Sequence, residues 1–137
     1  MSDTAFSVNR RIVLGTLLVD SYDAGLAFYC GVLGFDCTND QPLGDGKRWV
    51  TVQPKGVSGA GLLLAQADGT EQSAAIGNQV AGRVGFFLHT DDFARDHATM
   101  LARNVRFLER PRHEPYGTVA VFSDPYGNLW DLIQPAV

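Results

Sequence analysis

The stretch SDPYGNLWDL, residues 123–132, sets an acid, Asp131, between Trp130 and Leu132 in a short apolar run. A carboxylate there is costly to bury alone. It reads as a ligand anchor, as an acid or base, or as a rim residue bonded to its neighbours. His89 closes the run RVGFFLH. It suits a general base or a ligand-orienting donor, and equally a strand-end hydrogen bond to backbone. His97 shares the spacing of Phe93, Met100 and Leu101, which makes helix packing its plainer role. His113 and Glu114 are adjacent in PRHEPYG. A metal-binding or proton-passing pair is the chemical reading, and a solvated loop the simpler one. Arg48 and Trp49 are also adjacent. A guanidinium holds anionic groups and an indole stacks, but alternation lets only one of the two face a cleft. Tyr116 precedes an apolar run, as a lip residue or a turn residue. Cys30 and Cys37 lack CxxC spacing and read as small packing residues of a reduced, cytoplasmic chain. No Ser-His-Asp, phosphate-loop, dinucleotide or zinc-finger spacing occurs.

Two similar halves must position these groups. Residues 11–19 form a strand-like run; Asp20 and Ser21 then cap a helix with Tyr22, Leu26, Tyr29 and Leu33 at helical spacing, and Gly34 ends it. Strands follow at 35–39, 48–53 and 61–66, with Pro42, Gly44, Asp45 and Gly46 marking the first turn. In the second half, 83–90 reads as a strand and Asp91 or Asp92 caps a helix carrying Phe93, His97, Met100 and Leu101, closed by Asn104. Strands follow near 105–108, 117–123 and 129–134. Asp20 aligns with Asp91, Tyr22 with Phe93, Pro54 with Pro125 and Gly56 with Gly127. After three extra residues in the first copy, Leu64-Ala65-Gln66 aligns with Leu132-Ile133-Gln134.

Each copy therefore reads β-α-β-β-β, giving an α+β domain of two modules, 11–66 and 83–135. The linker, 67–82, is polar and small, with room for a helical turn near 71–76. One module alone leaves a sheet face bare, so a second copy must cover it, in the same chain or in another.

The 137 residues, 45% apolar, suit one domain with a sizeable core. A formal charge of −4 with interspersed signs argues against nucleic acid and anionic membrane as partners. No apolar run approaches bilayer length, and the start, MSDTAFSVNRR, lacks the apolar stretch of a leader.

The paired β-α-β-β-β copies, LAFYCGVLGF after the first strand and FSDPYGNLWDLIQP at the end, resemble the vicinal oxygen chelate superfamily over about residues 11–135. That superfamily holds glyoxalase I, bleomycin-resistance proteins, fosfomycin-resistance enzymes and extradiol dioxygenases. PLGDGKRWVTVQPKG and PRHEPYGTVAVFSDPYGNLWDLIQP are similar to bacterial glyoxalase-like proteins. The resemblance implies a curled mixed-sheet cleft, with a divalent metal held from the first and last strand of each copy. The corresponding positions are Leu14, Leu63, Gly85 and Asp131. Leucine and glycine side chains offer no donor, and a catalytic ion needs about three protein ligands, so no metal or other cofactor is expected. With Gly85 facing the metal position, Phe87 and His89 share its side, while Val84, Phe86 and Leu88 pack under the helices. Leu14, Thr16 and Leu18 point inward on the first strand, as do Leu129, Asp131 and Ile133 on the last.

The expectation is a homodimer that binds a small, partly apolar molecule through Arg48, Trp49, Phe87 and Tyr116. Asp131 and His89 are then the catalytic candidates of a metal-independent lyase or isomerase. The alternative is a bleomycin-resistance-like binder that sequesters without catalysis. A third is a metal-dependent lyase or dioxygenase recruiting His89 or His113.

Overall fold

The computed structural model describes residues 5, 9–56 and 58–137. The leader reading of residues 1–11 falls largely outside them. The first half forms β1 (Leu14–Val19), α1 (Tyr22–Leu26), β2 (Asp36–Gly44), β3 (Lys47–Gln53) and β4 (Gly61–Gln66). The linker carries α2 (Gly69–Ala75). The second half forms β5 (Val84–His89), α3 (Phe93–Ala102), β6 (Arg106–Phe107), β7 (Arg112–Glu114), β8 (Gly117–Ser123) and β9 (Leu129–Pro135). Two mixed sheets result, ordered β1-β4-β3-β2 and β5-β9-β8-β6, with β7 also paired to β8. In each, the first strand runs parallel to the last, and the other pairs are antiparallel. The expected α+β class and curled mixed sheets hold.

Local chemistry accounts for the helix ends. The Ser21 hydroxyl accepts from the Ala24 N–H at 3.1 Å, and the Asp92 carboxylate from the Arg95 N–H at 3.0 Å. Asn104 closes α3 at φ 64°, a left-handed conformation that asparagine tolerates.

Three elements differ from the sequence expectation. After Leu26 the helix widens into a π-helical segment, Ala27–Val32, in which the Leu33 N–H reaches the Phe28 carbonyl. Phe28 and Tyr29, consecutive in sequence, are both buried there. β2 runs on to Gly44 through Pro42, because it is an edge strand with register shifts, where a missing N–H is tolerated. β7 forms from Arg-His-Glu, with no apolar alternation to announce it.

One core joins the halves through their helix-bearing faces. Leu17, Val50, Val52 and Leu64 from the first sheet share it with Phe122, Trp130 and Leu132 from the second. Tyr29 is fully buried between them: its hydroxyl donates to Asp124 at 2.6 Å and accepts from the Trp130 indole N–H at 3.2 Å. Trp130 also stacks on Phe86 and Phe122. The linker seals the free edge of β1. Its Gln79 side chain accepts from the Leu18 N–H and donates to the Thr16 carbonyl, both at 2.8 Å, completing two bonds that a neighbouring strand would otherwise supply. No helix among the described residues is long and apolar enough to cross a membrane.

Candidate functional site

Because the helices cover one face of each sheet, alternation turns the other face away from the core, and on it Phe87 is exposed while Val119, Ile133 and Thr51 are buried. On the second sheet two adjacent rows of side chains cross that face. One runs Phe87–Asp131–Val121, the next His89–Ile133–Val119–Arg112. In the first sheet the row equivalent to Phe87–Asp131–Val121 is Thr16–Leu63–Thr51. Leu63 and Asp131 thus occupy matching places, as the repeat implies.

Asp131 lies at the middle of its row. Its Oδ1 is buried and has no hydrogen-bond partner among the described residues. Desolvation pushes its carboxyl above the usual carboxylate range; Arg112 pulls it down and Glu109 pushes it up. The flanking Phe87 is 62% exposed, an aromatic ring left bare beside an unpaired carboxyl. His89 is exposed one row along the same face, roughly 6–7 Å up the strand.

At the lip of this face, Tyr116 was a sequence candidate, but the charged pair beside it was not. Arg112, on β7, is paired with Glu109 through Nε at 3.0 Å to each carboxylate oxygen and reaches Glu114 at 3.4 Å. Proximity to the Tyr116 hydroxyl and the ion pair with Glu109 raise its pKa further still, so it stays cationic. Tyr116 stands 53% exposed at the turn between β7 and β8. The run ERPRHEP, residues 109–115, reads as loop, which hides Glu109 and Arg112. The usable signal was opposite charges three places apart, Glu109 and Arg112, leading into an edge hairpin. His113 pairs with Thr118, on the side of β8 away from Asp131.

The other candidates are on the first module. Trp49, 38% exposed, lines a concavity of about 580 Å³ on the open face of the first sheet, beside Leu14 and Thr51. Arg48, a candidate for holding an anionic group of the ligand, is placed elsewhere. It shares the helix-side face with Val50, lies over the Tyr22 ring at 5.1 Å, and is held by Asp40 at 2.8 Å and Asp23 at 2.9 Å. Its donors are committed. His97 stacks on Phe93 and meets Phe107 edge-on, a packing role.

A groove of about 830 Å³ follows the seam between the halves, past Phe35, Lys55, Leu88, His89 and Arg95. Among the described residues it holds no unpartnered buried polar side chain, so the chemistry favours the face carrying Asp131 instead. The donor set there does not fit a divalent ion. Leu14, Leu63 and Gly85 carry no ligand atom, and among the described residues no three His, Cys, Asp or Glu side chains are grouped to share one.

Asp131→Asn tests the cost of the lone carboxylate. A carboxyl whose pKa is raised by folding destabilises the fold above its folded pKa, and the effect vanishes below its unfolded pKa. The variant should therefore melt a few °C higher at pH 7 and no higher near pH 3.5. Thermal scans at both pH values check this.

Residues 11–132 match the Glyoxalase/Bleomycin resistance protein/Dioxygenase superfamily. A Shewanella frigidimarina protein of uncharacterized role is 48% identical, over 93% of this chain and 95% of that one. The crystal structure of TnmS3, an antibiotic binding protein from Streptomyces sp. CB03234, is 33% identical, covers 96% of this chain and 100% of that one, and superposes with a TM-score of 0.78. A glyoxalase/bleomycin resistance protein from the same strain is also 33% identical, covers 90% and 100%, and has a TM-score of 0.70. The chain belongs to the Glyoxalase/Bleomycin resistance protein/Dioxygenase superfamily.

Proposed function

We propose that the protein binds a small, partly apolar organic molecule on the open face of the second sheet, without a metal, and that a second copy of the chain closes over it. The observation that carries this is Asp131: a buried carboxyl oxygen with no partner among the described residues, next to an exposed aromatic ring. Burying a polar atom unsatisfied costs about 1–3 kcal/mol, and a ligand donor offsets that cost. Likeness to an antibiotic-binding protein supports the reading.

The packing supports the second copy. Within one chain the halves spend their helix-bearing faces on each other. Trp49 and Asp131 therefore stand on open faces of different sheets. A homodimer sets the first module of one chain against the second of the other and supplies both walls of a cleft. Light scattering at micromolar concentration should give twice the chain mass; a monomer mass would count against the closed cleft.

Binding is tested by tryptophan fluorescence against a panel of aromatic antibiotics. A ligand should quench emission from Trp49, and Trp49→Phe should remove most of the response. Asp131→Asn should weaken binding about tenfold or more, the worth of one hydrogen bond to a charged group. Undiminished affinity in that variant would reject the site.

A second reading has one observation in its favour. A carboxyl with a raised pKa in an apolar setting is suited to proton transfer. In a metal-independent lyase or isomerase, Asp131 would move the proton. Incubation of the tightest-binding compound with the protein would then yield an altered mass or an isomer on chromatography.

A further inference from the structure

We propose that Glu109 determines the specificity of this site: by holding Arg112 it keeps Asp131 unpaired, so the face recognises a ligand through a hydrogen-bond donor (a hydroxyl, an amide N–H or an ammonium) rather than through an anion. This rests on the reading of the second sheet's open face as the binding surface.

The geometry is that of a latch. Glu109 lies between β6 and β7, and both its oxygens are 3.0 Å from Arg112 Nε. One of them also accepts the Val121 N–H at 3.0 Å. Val121 is the β8 neighbour of Asp131 in the same row. The Glu109 carboxylate thus ties the lip to the strand beside Asp131 and fixes where Arg112 can go.

The groups facing Asp131 are few. From β5 come Phe87 and, one row on, His89; from β8 come Val121 and Val119. The β7 hairpin brings Arg112, Glu114 and Tyr116. Arg112 is the cation whose charge acts on Asp131, yet no hydrogen bond joins them, and Asp131 Oδ1 has no partner among the described residues. A guanidinium on a flexible stem pairs with the nearest desolvated carboxylate left open to it. Glu109 occupies it first. Released, Arg112 would close onto Asp131 and consume the acceptor that the ligand needs.

The latch is tested on the free protein by following the Asp131 carboxyl ¹³C signal through a pH titration. Glu109→Gln keeps an acceptor for the Val121 N–H and removes the charge that holds Arg112. The Asp131 midpoint should fall by about one pH unit or more, as for a carboxylate gaining a close guanidinium. In an Arg112→Gln background the same substitution should move it by less than about a third as much, the signature of coupling. Glu109→Asp, which keeps the charge but shortens the arm, should also lower the midpoint. An equal shift in both backgrounds, or no shift in either Glu109 variant, would overturn the role of Glu109.

Phenol, benzylamine and benzoate serve as fragment probes of ligand class. The unmodified protein should bind the first two in preference to benzoate, and Glu109→Gln should narrow that preference. Preferred binding of benzoate would overturn the specificity. Absence of binding by all three would overturn both the specificity and the functional reading beneath it. A failed titration with normal binding overturns only the part played by Glu109.

Discussion

Asp124→Ala should lower stability by about 3–5 kcal/mol, a fall in melting temperature of roughly 10 °C or more for a domain of this size. Asp124 is 4% exposed and accepts four hydrogen bonds: from the Tyr29 hydroxyl, the Asn128 side-chain amide, and the backbone N–H groups of Tyr126 and Asn128. Alanine would leave the fully buried Tyr29 hydroxyl with no acceptor at the seam between the halves, and it would release the turn that starts β9. Tyr29→Phe is the control. It removes one partner of the network and leaves the turn intact, so it should cost about 1–2 kcal/mol. Denaturant unfolding of the three proteins gives the comparison, and near-equal stability of Asp124→Ala and Asp124 would refute it.

Gly77→Ala should be comparably damaging, about 3 kcal/mol or more. Gly77 has φ 75°, and a Cβ there would stand 1.8 Å from the Tyr126 carbonyl oxygen, a backbone atom that cannot swing away. The linker crosses the 125–127 turn at this point, and the contact seats Gln79 on the edge of β1. Any β-carbon must lift the linker away from both. Gly31→Ala, where an added methyl meets nothing within 4 Å, should be neutral or slightly stabilising. Equal stability of the two variants in thermal melts would contradict this account of the linker.

The repeat made much of the architecture readable. A period of two and a matched LAQ/LIQ register were enough to set Leu63 and Asp131 at equivalent places, because a strand offers only two faces. The same logic put Phe86 and Leu88 under the helices and Phe87 on the open side. It stopped short at Arg48 and Trp49. Alternation said that one must face inward, but only the position of Tyr22 beneath the guanidinium shows which.

Other features were hidden for physical reasons. Edge strands need no apolar face, so Asp40-Gln41-Pro42 and Arg112-His113-Glu114 passed for loop. The amphipathic pattern of a module is the same whether its helix face or its open face meets the second copy, so the packing of the halves had to be seen. The partners of Glu109 and Arg112 depend on tertiary approach to β8. Nothing in the local sequence distinguishes Asp124 from Asp131, although Asp124 is the fully engaged acid of the pair. The turn in which it lies was readable, but the reach of Tyr29 from the other half was not.

The central claim is that the ligand meets the open face of the second sheet at Asp131. Amide chemical-shift mapping with the tightest-binding antibiotic of the panel tests it most directly. The largest changes are expected at Phe87, Val121, Asp131 and the Arg112 lip, and they should collapse in Asp131→Asn. Changes confined to Lys55, Leu88 and Arg95 along the seam groove, unaltered in that variant, would contradict it.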